Sequence, residues 1–116
     1  MRSRDVRICL FDMVRAADAV LRFVEDRTFE QYTSDLMVRS AVERQLEILG
    51  EAMSRALKIE PGIAAHLDEA RGVVDFRNVI AHGYDVLSDR TVWDIAVNHV
   101  PHFRDSVAAL LVARGD

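Results

Sequence analysis

The sequence has little of what a β-sheet protein or a disulfide-stabilised protein requires. Only 7% of its 116 residues are aromatic, and it has five glycines and two prolines, too few turn formers for the many reversals of an all-β fold. Its one cysteine, Cys9, excludes an internal disulfide, and the apolar neighbours Ile8 and Leu10 predict that it packs as a small hydrophobe. A helical fold is therefore the expectation.

Long apolar runs are absent as well. No stretch approaches the roughly 18 uninterrupted apolar residues of a membrane-spanning helix. The first four residues resemble the basic start of a secretory signal, but Asp12, Arg15 and Asp18 interrupt the apolar run that would have to follow. These features predict a cytoplasmic protein that has no membrane partner.

The charge balance argues against a protein that coats nucleic acid non-specifically. The formal net charge is −4, whereas such binding depends on neutralising many phosphates. A local phosphate site is still compatible with this charge. Fourteen of the fifteen basic residues are arginine and only Lys58 is lysine, a bias that suits bidentate phosphate contacts but that a GC-rich coding sequence also produces.

Apolar residues recur at three- and four-residue spacing in four segments, which predicts an all-α, up-and-down four-helix bundle. The length fits one domain, residues 1–116. The expected helices run from about Asp5 to Asp26, from about Asp35 to Lys58, from about Val73 to His82, and from Ser88 to near Arg114.

Local signals punctuate these helices. The run from Thr28 to Gln31 has the form of a capping box and predicts a short helical turn, with the second helix starting at Thr33 or Ser34. Glu60-Pro61-Gly62 is the clearest break, and a loop with a turn of helix is expected from there to Gly72. Pro101 should kink or split the fourth helix.

The remaining polar patterns do not indicate a metal or a cofactor. Glu43, Glu47 and Glu51 fall on successive turns of one helix face, which more often is a solvated or ion-pairing face than a metal site, and no histidine completes a ligand set. The histidines 66, 99 and 102 are expected to pack or to face solvent. There is no glycine-rich phosphate loop.

The chemically capable side chains cluster at the end of the third helix, where Arg77, His82 and Tyr84 lie within eight residues. On an ideal helix Arg77 and His82 are about 140° apart around the axis and about 7.5 Å apart along it, so one helix does not readily aim both at one atom. Either the Arg77 side chain must reach across, or a second chain must contribute residues to the site. Structural alternatives exist: a solvated arginine, a histidine that complements the helix dipole, and a tyrosine that closes the edge of the core.

Two segments resemble a known family. The run Arg77-Asn78-Val79-Ile80-Ala81-His82-Gly83-Tyr84 is similar to the Arg-x4-His-x-Tyr motif of the HepT toxins, which belong to the HEPN superfamily of small helical ribonucleases. The stretch from Ala41 to Ala52, AVERQLEILGEA, resembles the second-helix signature of the same family. Motif order, helix number and length also agree.

The resemblance implies a symmetric homodimer in which Arg77 and His82 of both chains line a cleft, with Asn78 beside Arg77 as a substrate-positioning residue. It also implies a toxin whose antitoxin, an MntA-like minimal nucleotidyltransferase, transfers AMP to Tyr84. In such a site His82 would take the proton of a ribose 2′-OH while Arg77 stabilises the phosphate, without a metal or cofactor. The alternative is a non-catalytic HEPN module that binds a nucleotide or regulates a nucleotidyltransferase partner.

Overall fold

The computed structural model describes residues 2–81 and 88–115, and all regular secondary structure in these two ranges is helical. The predicted all-α bundle is confirmed. In chain order the elements are α1 (Arg2–Val24), α2 (Phe29–Thr33), α3 (Leu36–Ile59), a 3₁₀ turn (Pro61–His66), α4 (Ala70–Ala81), α5 (Asp89–Asp94), a π turn (Ile95–His99) and α6 (Val100–Arg114).

Side-chain caps set three of the helix starts. The predicted capping box is present, because the Gln31 N–H donates to Thr28 Oγ1 at 3.1 Å and the Thr28 N–H donates to Gln31 Oε1 at 2.8 Å. Ser88 caps α5 as predicted. The start of α3 agrees with the helix expected from about Asp35 and not with a start at Thr33 or Ser34: Asp35 is its cap, and Ser34 donates back to the carbonyl of Gln31 within α2.

The two longest helices, α1 and α3, pack against each other at the centre of the bundle, with α4 against α3 and α6 against α1. Most of the apolar residues that recur at three- and four-residue spacing are buried, and Cys9 is buried among them. The largest fully buried side chains from α1 and α3 are those of Val6, Leu10, Met13, Val20, Val42 and Met53. No helix in the two described ranges has the length and apolar character needed to cross a membrane.

The start of α4 corrects the prediction of a loop that continues through Gly72. The helix begins at Ala70, and the Val73 N–H donates to the Glu69 carbonyl at 2.9 Å, so Gly72 lies within its first turn. Glycine costs a helix up to about 1 kcal/mol relative to alanine. Burial of Ala70 beside Leu67 in the core offsets that cost.

The predicted disturbance at Pro101 takes the form of a π turn that splits the fourth helix. The N–H of Val100 bonds to the carbonyl of Ile95, five residues earlier. Proline has no N–H and its ring clashes with the carbonyl four residues before it. The wider turn ahead of Pro101 accommodates both constraints, and Pro101 itself lies in the first turn of α6, where proline is tolerated.

Candidate active site

The crossing of α3 and α4 depends on Gly50, a buried residue in the middle of α3. A Cβ placed on Gly50 would lie 2.1 Å from Cβ and 2.7 Å from Cγ of Arg77, and 3.1 Å from the carbonyl oxygen of Val73. The stem of Arg77 therefore lies directly on the backbone of α3. The side chain of Arg77 is 33% exposed.

The guanidinium of Arg77 has neighbours on both helices. Its NH1 donates to Asn78 Oδ1 at 2.9 Å, and its NH2 lies 3.8 Å from Glu51 Oε1. Its Nε is buried and has no hydrogen-bond partner among the residues that the structure describes. A buried donor without a partner is uncommon in native structures. Arg77 and Asn78 are thus adjacent in the chain and also in side-chain contact.

Glu51 is the neighbour that reasoning from the sequence missed. The pattern of three glutamates predicted a solvated or ion-pairing face, and two of them do pair: Glu47 Oε1 lies 2.9 Å from NH1 of Arg44, and Glu51 Oε1 lies 3.8 Å from the same atom. The contact from Glu51 to Arg77 crosses between helices. The sequence signal for this contact was that Glu51 directly follows Gly50, the residue whose missing side chain leaves room for the stem of Arg77.

Glu43, the first of the three glutamates, belongs to a different polar cluster between α2, α3 and α5. There Arg39 NH1 lies 3.6 Å from Asp89 Oδ2, and the Thr33 hydroxyl donates to the same carboxylate. Burial, followed by the nearby Asp89, raises the pKa of the Glu43 carboxyl, while Arg39 opposes the shift. The cluster fixes the first turn of α5 against α2 and α3.

His82 and Tyr84 lie outside the described residues, in the segment 82–87. Of the four predicted site residues, the structure therefore describes Arg77 and Asn78. The described part of α4 runs to Ala81, directly before His82, so the predicted end of the third helix near His82 lies outside the described residues.

An apolar groove of about 320 Å³ lies between α3, α4, the π turn and α6. His99 is exposed at its mouth, with Nδ1 3.3 Å from Glu69 Oε1 and Nε2 3.6 Å from Asp94 Oδ2. His99 therefore faces solvent, which is one of the two outcomes expected for it. The apolar side chains that line the groove are those of Leu46, Leu49, Val73, Phe76, Ile95, Val100 and Phe103.

A family model described as "Ribonuclease HepT-like" matches residues 13–110, a range that contains both the Gly50 crossing and the Arg77 motif. The chain belongs to the HepT-like ribonuclease family. This confirms the resemblance given by the two sequence segments. The match includes all of α3 and α4, the two helices that hold Arg77.

Curated relatives of this HepT-like chain come from Methanocaldococcus jannaschii. "Putative RNase MJ1380" is 31% identical over 107 residues, which cover 92% of this chain and 97% of the relative. "Putative RNase MJ0127" is 28% identical over 106 residues, covering 88% and 84%, and "Putative RNase MJ0125" is 26% identical over 104 residues, covering 90% and 89%. No solved structure matches the chain.

Proposed function

We propose that this HepT-like protein is a metal-independent endoribonuclease. The observation that carries the proposal is the placement of Arg77: its stem is pressed against α3 at Gly50, and its guanidinium lies between Asn78 and Glu51. An arginine held in this way, five residues before a histidine, is suited to bind a phosphate of the substrate. The names of the curated relatives as RNases support RNA as that substrate.

The proposed reaction uses the nucleophile that RNA itself carries. His82 accepts the proton of a ribose 2′-OH, the 2′-oxygen forms a bond to phosphorus, and the bond from phosphorus to the 5′-oxygen breaks. The leaving 5′-oxygen takes a proton from a general acid, and the products are a 2′,3′-cyclic phosphate and a 5′-hydroxyl. Arg77 stabilises the negative charge that grows on the phosphate oxygens, and Asn78 positions the substrate beside it.

The reaction also requires a second proton-transfer group, because one imidazole cannot be base and acid in the same step. We propose that a homodimer supplies it, with Arg77 and His82 of both copies at a shared cleft. On an ideal helix the two residues would be about 140° apart around the axis and about 7.5 Å apart along it, a separation that favours a site shared in this way. The apolar groove between α4 and α6 offers surface for the contact with a second copy.

The proposed function is tested with the purified protein in EDTA. A single-stranded RNA oligonucleotide should be cleaved to products that end in a cyclic phosphate, and the same sequence without 2′-hydroxyl groups should remain intact, since it lacks the nucleophile. Mass spectrometry of the products distinguishes the two termini. Cleavage of the 2′-deoxy oligonucleotide, or loss of cleavage in EDTA, would contradict the mechanism.

We further propose that the protein is the toxin of a toxin–antitoxin pair and that a nucleotidyltransferase antitoxin inactivates it at Tyr84. An AMP group on this phenol adds bulk and negative charge close in sequence to His82, and so hinders the approach of a substrate phosphate. The support is the match of Tyr84 to the family motif.

Co-expression with the cognate nucleotidyltransferase should raise the intact mass by about 329 Da or multiples of it, the increment of AMP transfer to a hydroxyl group. Peptide mapping should place the group on Tyr84. The Tyr84→Phe variant should inhibit growth as the parent does but should escape neutralisation. Tyr32→Phe is the matched control, because Tyr32 is fully buried. A mass shift that persists in Tyr84→Phe would refute the assignment.

A non-catalytic role is the second candidate. The net charge of −4 disfavours a long polyanion and favours a module that docks a nucleotidyltransferase or binds a single nucleotide. The two functions differ in one observable. A binding module would retain its partner or nucleotide but leave RNA uncleaved at every protein concentration.

A further inference from the structure

Glu51 is the residue through which α3 reaches the charged end of Arg77. Its Oε1 lies 3.8 Å from NH2 of Arg77, and the two side chains are equally exposed, at 33%. Asn78 also contacts the guanidinium, but it lies on α4 beside Arg77 and moves with it. Among the described residues, Glu51 is the one polar side chain that fixes the guanidinium relative to α3.

The competing partner of Glu51 is Arg44, whose NH1 lies 3.8 Å from the same carboxylate oxygen. That atom of Arg44 has a nearer acid, since Glu47 Oε1 is 2.9 Å away. Arg44 is also 59% exposed, whereas Arg77 is 33% exposed, so of the two 3.8 Å contacts of Glu51 the one with Arg44 is the more screened by solvent. Glu47 is therefore the ion-pair partner of Arg44, and Glu51 is the carboxylate that pairs with Arg77.

The geometry of the Glu51 contact orients Arg77 without consuming its hydrogen-bond donors. A separation of 3.8 Å is longer than a hydrogen bond, for which the range is about 2.7–3.2 Å. An arginine carries five N–H donors. Among the described residues NH1 uses one of its two on Asn78, and Nε is buried, so the donors left for a phosphate are the second of NH1 and those of NH2. The guanidinium is thus held electrostatically in place and retains donors for a phosphate.

We propose that Glu51 is a positioning residue that holds the guanidinium of Arg77 over the face of α3 where a phosphate binds. The inference rests on the proposed function, in which Arg77 contacts the scissile phosphate. Without the Glu51 carboxylate the guanidinium of Arg77 can change its orientation, while the Cβ and Cγ of Arg77 remain packed against Gly50. A misplacement of about 1 Å in a catalytic group can lower a rate about 10²-fold.

The experiment compares Glu51→Gln with Glu47→Gln in the full-length protein. Both variants replace one carboxylate on the same helix by an isosteric amide, and both disturb Arg44, but only the first removes a contact with Arg77. In Glu51→Gln we expect kcat for RNA cleavage to fall about 10- to 100-fold with a smaller change in KM. Glu47→Gln should cleave within about twofold of the parent.

A second measurement follows Arg77 directly and does not depend on activity. In ¹H–¹⁵N NMR spectra the Nε–H of Arg77 should give a protected, ordered signal in the parent and in Glu47→Gln, with Arg77→Lys identifying the signal by its loss. In Glu51→Gln the signal should broaden or exchange with solvent faster. Glu51→Asp, which keeps the charge, should restore part of both the order and kcat.

The outcomes separate this inference from the proposed function. An unchanged Arg77 signal in Glu51→Gln would refute the positioning role whether or not the protein cleaves RNA. A broadened or faster-exchanging Arg77 signal with an unchanged kcat would refute the importance of the Glu51 contact for cleavage. A parent protein whose cleavage survives Arg77→Ala would refute the proposed role of Arg77 and, with it, the catalytic half of this inference, while the NMR comparison would still decide whether Glu51 orders Arg77.

Discussion

Replacing His82 or Arg77 by alanine should abolish growth inhibition and lower the rate of RNA cleavage by two or more orders of magnitude. Loss of a general acid or base typically costs 10²- to 10⁴-fold in rate, and loss of a preorganised charge stabiliser costs about 3 kcal/mol in the barrier. The two residues act on one transition state, so the double variant should be little worse than the more impaired single variant. Initial rates on a defined RNA oligonucleotide provide the measurement.

Two controls make this comparison specific. Arg71→Ala removes an exposed arginine from the same helix as Arg77, and His66→Ala removes an exposed histidine from the 3₁₀ turn; both should cleave like the parent. Light scattering should find the parent and all variants as dimers, since a monomer of 13.1 kDa would contradict a site shared between copies. Variants of Arg77 and His82 that fold, dimerise and cleave at the parental rate would refute the assignment.

A single added methyl group at Gly50 should disturb both the fold and the site. The new Cβ would overlap Cβ of Arg77, at 2.1 Å, and would press on the carbonyl of Val73, so α4 has to move away from α3. Overpacking of this kind costs about 1–3 kcal/mol, which corresponds to a fall of roughly 4–12 °C in Tm for a domain of this size. Displacement of Arg77 should also reduce cleavage about 10²-fold.

Gly72→Ala is the matched control, because it makes the same substitution in α4 where nothing lies within 4 Å of the added Cβ. There alanine should stabilise the protein by about 0.5–1 kcal/mol through its better helix propensity. Thermal unfolding followed by circular dichroism should therefore shift in opposite directions for the two variants. A Gly50→Ala protein as stable as the parent would show that α3 and α4 do not cross as closely as described.

The features that could be predicted from the sequence are those that neighbouring residues determine. Apolar spacing indicates α1 and α3, and the side chains of Thr28 and Ser88 mark helix starts that the structure confirms. The predicted start of α4 was wrong. Burial of Ala70 outweighs the low helix propensity of Gly72, and this is a tertiary effect that the local sequence does not show. Pro101 signalled a disturbance, but proline is compatible with a kink, a break or a wider turn, and no residue pattern indicated that the form would be a π turn.

In the candidate site, too, contacts between neighbouring residues could be predicted and contacts between distant residues could not. The motif placed Arg77 and Asn78 next to each other in the chain, and their contact follows from that adjacency. The contact between Glu51 and Arg77 joins residues that are far apart in sequence, and no local pattern reports which glutamate of the series faces α4. The site roles of all four residues stay predictions, and His82 and Tyr84 also lie outside the described residues.

The close approach at Gly50 has a consequence for the thermodynamics of the proposed phosphate binding by Arg77. A free arginine side chain carries about 2 kcal/mol of rotamer entropy, and an ordinary surface arginine gives up much of it when it grips a ligand. For Arg77 part of that loss occurs when the chain folds, because the stem already lies against α3. A phosphate that binds Arg77 therefore meets a side chain whose conformational freedom is already restricted, and more of the interaction energy is available as affinity.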